Sequence, residues 1–160
     1  MKRHVFSCMA GFCGVLLLCA AMMAQVQKKE PATPAENESS AVGSIRSVNT
    51  VEVVYSSTYP QIGFTCTLTD FSPPANGQKP SPKAANMLAT NLTSGTKNGY
   101  KFTLTCPAQS KPQRTYQLTA VPVMPGKSGT RAFCTDQTTV IRFSADGQGA
   151  SCMASGKPIT

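Results

Sequence analysis

Four cysteines, Cys66, Cys106, Cys134 and Cys152, are the residues of this 160-residue chain whose type and spacing speak most directly of chemistry. They stand singly, at separations of 40, 28 and 18 residues. No Cys-x-x-Cys occurs among them, so neither a zinc knuckle nor a thioredoxin-like redox pair is indicated. An even number of such cysteines reads as a disulfide framework, with three pairings open at this point, or else as free buried thiols. Each bridge would add on the order of 3–4 kcal/mol, which is large for so small a domain. Three further cysteines, Cys8, Cys13 and Cys19, lie near the start of the chain.

Other catalytic equipment is sparse. The one histidine is His4, within the first few residues, so the body of the chain lacks the commonest general base and zinc ligand. No Gly-rich phosphate loop follows a strand pattern. Paired carboxylates would have to come from Glu52, Asp70, Asp136 and Asp146, and nothing in their spacing groups them. A calcium site near Asp136 or Asp146 would rely on Gln137, Thr138 and Gln148, a thin set for a hard cation. The expectation is a non-enzymatic protein without a cofactor.

The start of the chain reads as an export signal. Lys2-Arg3 precede Val5 to Ala24, which contains no charged residue, with an apolar stretch at Val15-Leu16-Leu17-Leu18 and small residues at Ala20, Ala21 and Ala24. This describes a secretory signal peptide over residues 1–24. The same span, residues 5–24, could cross a bilayer as an uncleaved anchor, although Ser7, Gly11 and Gly14 dilute its front half. A lipoprotein box would want a small residue where Leu18 precedes Cys19. Export to the periplasm or beyond agrees with the cysteine count.

The net charge is +8, and removing Lys2 and Arg3 from the 15 basic residues leaves 13 against seven acids, a balance of +6. The basic residues are spread singly, with no block of like charge and no aromatic interleaving of the kind single-strand binders use. Solubility and weak attraction to anionic surfaces follow from that.

Elements positioning these residues follow in order. Residues 25–38 form a polar linker with Lys28-Lys29, Pro31, Pro34, Glu36 and Glu38. A helix is predicted over 39–59, where Ala41, Ile45, Val48, Glu52, Tyr55 and Tyr59 make one stripe and Pro60 forces the stop. Asn37, Ser39 or Ser40 could cap it. Glu52 is the odd member, a carboxylate in an apolar stripe, and a structural role bonded to a backbone end or an arginine is expected. Residues 61–99 read as a loop region, with four prolines between Pro73 and Pro82 and turns at Ser94-Gly95 and Asn98-Gly99. Alternation then marks strands at Tyr100–Cys106 and around Tyr116–Val121, with shorter ones at Arg131–Thr135 and Thr139–Ser144, and a tail over 145–160. The predicted fold class is α+β: one long N-terminal helix across a four-stranded antiparallel sheet.

Several blocks of this arrangement resemble type IV pilin-like proteins related to the major pseudopilin of type II secretion, in the versions found in acidobacteria-like genomes. They are the helix segment Gly43-Ser44-Ile45-Arg46-Ser47-Val48-Asn49-Thr50, the run Ser94 to Phe102, Tyr116 to Pro122, Pro125 to Arg131 and Phe133 to Arg142. The resemblance covers roughly Ser40 to Gly147. One part departs from it. Gly11-Phe12 exists, but the fifth position counted from Phe12 is Leu16, and no acid occurs between Lys2 and Lys29. The glutamate that registers pilin subunits in a filament is therefore missing, which points to a soluble or singly anchored relative.

The pilin-like plan implies the sequential pairing. It sets Cys66 near Cys106 at the end of the first strand, and Cys134 on the third strand beside the tail that carries Cys152. The function it implies is an exported structural or interaction module at the bacterial cell envelope, contacting a protein or envelope partner through the loop from Thr67 to Asn98. The alternative is a soluble binding or adhesion domain for an anionic ligand, extracellular DNA or polysaccharide, using Lys79, Lys83, Lys97 and Lys101.

Overall fold

The structure, a computed structural model, describes residues 31–159. The expected leader over 1–24 and linker residues 25–30 lie outside them.

Helix α1 spans Pro34–Thr58, starting ahead of the expected Ser39. Its start is set by Thr33, whose Oγ1 accepts the N–H of Glu36 while the Glu36 carboxylate accepts the N–H of Thr33. This capping box, with proline at the first helical position, satisfies the orphan donors of the first turn. Residues 34–38 are therefore helix rather than linker. Tyr59 closes the other end, its N–H donated to the Tyr55 carbonyl, just ahead of Pro60.

The sheet has six antiparallel strands, β1 (Thr96–Lys97), β2 (Tyr100–Thr105), β3 (Gln117–Pro122), β4 (Ala132–Asp136), β5 (Arg142–Ser144) and β6 (Lys157–Pro158), in chain order. This corrects the expected four-stranded sheet. The four anticipated strands are its centre, and one two-residue strand is added at each edge. At the first edge Asn98 (φ 46°) and Gly99 (φ 74°) both adopt left-handed backbone, which folds Thr96-Lys97 back onto Tyr100-Lys101. Two such residues make the tight hairpin turn whose twist suits paired strands. At the far edge the helix α3 (Gly149–Ser155) returns the chain so that Lys157-Pro158 pairs with Arg142-Phe143. Between the long helix and β1 lie a 3-10 turn, Leu68–Phe71, and a single helical turn α2, Thr90–Thr93.

Register places side chains on two faces. Phe102 opposes Ala120, Leu104 opposes Leu118, and Phe133 opposes both Ala120 and Phe143, so these share the face that α1 covers with Ala41, Ile45, Val48 and Tyr55. Thr119 opposes Cys134 on the other face, where α3 packs with Gly149 against Thr119 and Val121. Both faces of β4 are thus covered, and Ala132 to Thr135 are all buried.

The buried side of α1 also carries Asn37, Glu38, Ser44, Asn49 and Glu52, an unusually polar set. Most are fastened to the sheet side. Glu38 accepts the N–H groups of Thr130 and Arg131 and the Arg131 Nε. Ser44 accepts Lys97 Nζ, and Asn49 holds Thr135, Thr139 and Tyr116. Such pins set the helix's position along the sheet where an oily face alone would let it slide. Among the described residues no helix is long and apolar enough to cross a membrane.

Candidate functional site

The candidate site forms where α1 ends and the chain doubles back beneath it. Gly63, at φ 81°, lies so close to the Gln113 backbone that a Cβ would overlap it. That closeness lets Gln113 N–H donate to the Ile62 carbonyl (2.6 Å) and Phe64 N–H donate to the Gln113 carbonyl (2.9 Å). The Gln113 side chain secures its own loop, donating to the carbonyls of Ala108 and Thr115 and accepting the N–H of Ser110. Segments around 61–67, 82–83 and 109–113 then enclose a cavity of about 320 Å³.

Its walls are Tyr55, Ile62, Phe64 and Pro82, and the charged residues lining it are Asp70, Lys83 and Lys111. Tyr55 Oη donates to the Pro82 carbonyl at 2.9 Å, tying the helix to the proline-rich loop. Thr65 links two carboxylates: its N–H donates to Glu52 Oε2 at 3.1 Å and its hydroxyl to Asp70 Oδ2 at 2.7 Å. Lys83 Nζ reaches the same Asp70 oxygen at 3.3 Å. Asp70 is 6% exposed, whereas the Lys83 side chain is 83% exposed.

Burial pushes the Glu52 carboxyl up to about 8; the Thr65 N–H pulls it down and the Asp70 charge adds to the rise. Burial also lifts the Tyr55 phenol to about 12, with the Asp70 charge contributing. A neutral Glu52 and a protonated Tyr55 are poor bases and nucleophiles at neutral pH. The structural role expected for Glu52, bonded to a backbone end or an arginine, takes the form of a bond from a backbone N–H, that of Thr65.

Cys66 is bonded to Cys106 (Cα–Cα 5.2 Å) and Cys134 to Cys152 (Cα–Cα 5.9 Å). The first bridge fastens the helix-exit loop to the end of β2; the second clips α3 to the outer face of β4. Cys134 and Cys152 are completely buried, while Cys66 is exposed at the cavity. Bridges of this kind belong to an oxidising, exported environment.

The four lysines of the anionic-ligand reading do not converge. Lys97 opposes buried Tyr100 and turns to Ser44 on the helix side. Lys101, the next residue along β2 from Tyr100, points to the opposite face. Lys83 is paired with Asp70, and Lys79 stands exposed in the proline-rich loop. The two aspartates considered for calcium are also occupied. Asp136 Oδ2 accepts Arg142 at 2.6 Å and its Oδ1 accepts the Thr138 N–H and hydroxyl, while Asp146 Oδ1 accepts the Gln148 N–H. Among the described residues no three metal-ligating side chains gather.

Comparison with models of known protein families, with curated proteins and with solved structures finds no match to this chain.

Residues of the cavity come from distant stretches, and the sequence singles out Cys66, Asp70 and Lys83 only for other roles: a bridge, a possible carboxylate pair and an anionic-ligand surface. Lys111 is an unremarkable loop residue in the sequence, and nothing there brings Asp70 and Lys83 together with it. Their joint position depends on the Gly63–Gln113 pairing, which no local pattern encodes.

Proposed function

We propose that the chain is an exported, non-enzymatic contact module of pilin-like kind, working at the bacterial cell envelope through the loop-built end of the domain. The observation that carries this reading is the employment of the carboxylates. Glu38 and Asp136 are each held by several donors, Glu52 anchors Thr65, and Asp70 holds Thr65 and Lys83. Groups that could have done acid–base work instead fasten a frame, and the frame presents a cavity-bearing surface of exposed loops. Function then resides in what that surface touches. An N-terminal helix lying across an antiparallel meander suits the pilin-like assignment, and the missing filament glutamate favours a subunit outside a filament.

Site-specific photocrosslinking in the producing cell tests this. A crosslinking residue at Gln109, on the cavity rim, should capture a discrete envelope partner, and excess unlabelled domain should suppress the capture. The same residue at Lys157, on β6, should capture none. Equal capture from both positions, or turnover of a hydrolase substrate by the purified domain, would remove the proposal.

A further inference from the structure

The cavity at the end of α1 has a specific charge arrangement. Asp70 is almost wholly buried, yet it lines the cavity. Its Oδ2 accepts Thr65 Oγ1 and Lys83 Nζ, while its Oδ1 takes no partner among the described residues. Behind it, Glu52 is fully buried with Oε1 unpartnered, joined to Asp70 through Thr65. Asp70 is thus the one carboxylate lining an opening walled by Tyr55, Ile62, Phe64 and Pro82, with Glu52 buried behind Thr65 and outside the lining. The lysine partner of Asp70, Lys83, reaches in from solvent on a side chain that is 83% exposed. An exposed, singly bonded ammonium is loosely held and easily exchanged for another cation.

Resting on the contact-module reading above, we propose that this cavity receives a cationic group on an apolar stem, the end of a lysine or arginine side chain. Asp70 is its counter-ion, and Lys83 is the internal cation that it displaces. The aliphatic part of the entering chain lies against Tyr55, Ile62 and Phe64, as long basic side chains do on apolar surface. The aromatic faces add attraction for the charge. An anion is the poorer fit, because the buried Asp70 carboxylate, with one oxygen unpartnered, faces the opening and repels it.

The test uses the oxidised, exported protein and four capped amino acids as probes: N-acetyl methylamides of lysine, arginine, norleucine and glutamate. Amide resonances of Thr65, Asp70 and Gln113 report occupancy. The lysine and arginine probes should bind saturably and at least about tenfold more tightly than norleucine, the gap a charge-assisted hydrogen bond supplies. Asp70→Asn should abolish the preference. Because Asp70 is buried and that variant could unfold, Lys83→Ala is the decisive one, its side chain being exposed. It should tighten binding of the cationic probes about two- to fivefold by removing the competitor. Norleucine binding equally well, glutamate binding best, or Lys83→Ala failing to tighten would overturn the proposal. Partner capture at Gln109 without lysine-probe binding defeats this chemistry alone. Lysine-probe binding without any capture supports the cavity and defeats the contact-module reading.

Discussion

Glu52 Oε2, on a side chain with no exposed surface, accepts the backbone N–H of Thr65 at 3.1 Å. This bond joins the last turns of α1 to the loop that builds the cavity, and it places an ionisable group in the core. Asp70 and the hydroxyls of Tyr55 and Tyr116 share that neighbourhood.

The consequence is a pH dependence of stability. With its carboxyl raised from the usual 4.5 to about 8, folded Glu52 keeps a proton that the unfolded chain has lost. Its contribution is therefore full below about 4.5, declines as pH rises to about 8, and is level above. Glu52→Gln keeps an acceptor for Thr65 and removes that slope. Urea unfolding should show the variant gaining on the parent by on the order of 1–3 kcal/mol between pH 5 and pH 8.5.

Glu38 should behave in the opposite sense. Burial raises its carboxyl, but the N–H groups of Arg131 and Thr130 and the Arg131 guanidinium together hold it below the usual range. Stability from this group is present above about 4.5 and is lost as pH falls through the lowered value. Glu38→Gln should cost about 2–3 kcal/mol at pH 7 and much less at pH 3, read from denaturation midpoints at the two pH values.

Asn49 pins the helix to three different residues. It accepts the Tyr116 hydroxyl at 3.0 Å and donates to Thr139 O at 3.1 Å and Thr135 Oγ1 at 3.3 Å. Asn49→Ala leaves buried Tyr116 and Thr135 without their partner and releases exposed Thr139, and should cost about 2–4 kcal/mol, against about 1 kcal/mol for Tyr116→Phe. Equal losses from the two would mean that the shared bond alone matters.

The two bridges should differ in lability. Cys66 is exposed, whereas Cys134 and Cys152 have no exposed surface. Mild reductant followed by alkylation and peptide mapping should label Cys66 and Cys106 well before the other pair, since exchange requires access to the sulfur. Removing the bridges one at a time should cost about 4 kcal/mol for the 40-residue loop and about 3 kcal/mol for the 18-residue one.

Legibility in the sequence followed the length of the periodic signal. The apolar helix stripe of Ala41, Ile45, Val48 and Tyr55 is buried as its spacing predicts, and the two strands marked by alternation, Tyr100–Thr105 and Gln117–Pro122, lie where it marks them. The edge strands escaped because two residues, Thr96-Lys97 or Lys157-Pro158, are too few to show a period. The helix start was written in Thr33-Pro34 and Glu36, but the prolines and charges there also look like a linker. Polar pins such as Asn49 and Ser44 are hidden from a pattern that separates apolar from polar, because their burial depends on partners 53 to 90 residues away. The cavity was invisible for the same reason.

The central physical claim is that export delivers this chain to an oxidising space, where two bridges lock the helix-exit loop and the last helix to the sheet. Intact mass of the protein recovered from the envelope or medium, before and after reduction, tests it most directly. The account predicts a chain shortened near Ala24, or retained whole as an anchor, whose mass rises on reduction by the hydrogens of two bridges. A chain recovered from the cytoplasm with its thiols free and its mass unchanged by reductant would contradict it.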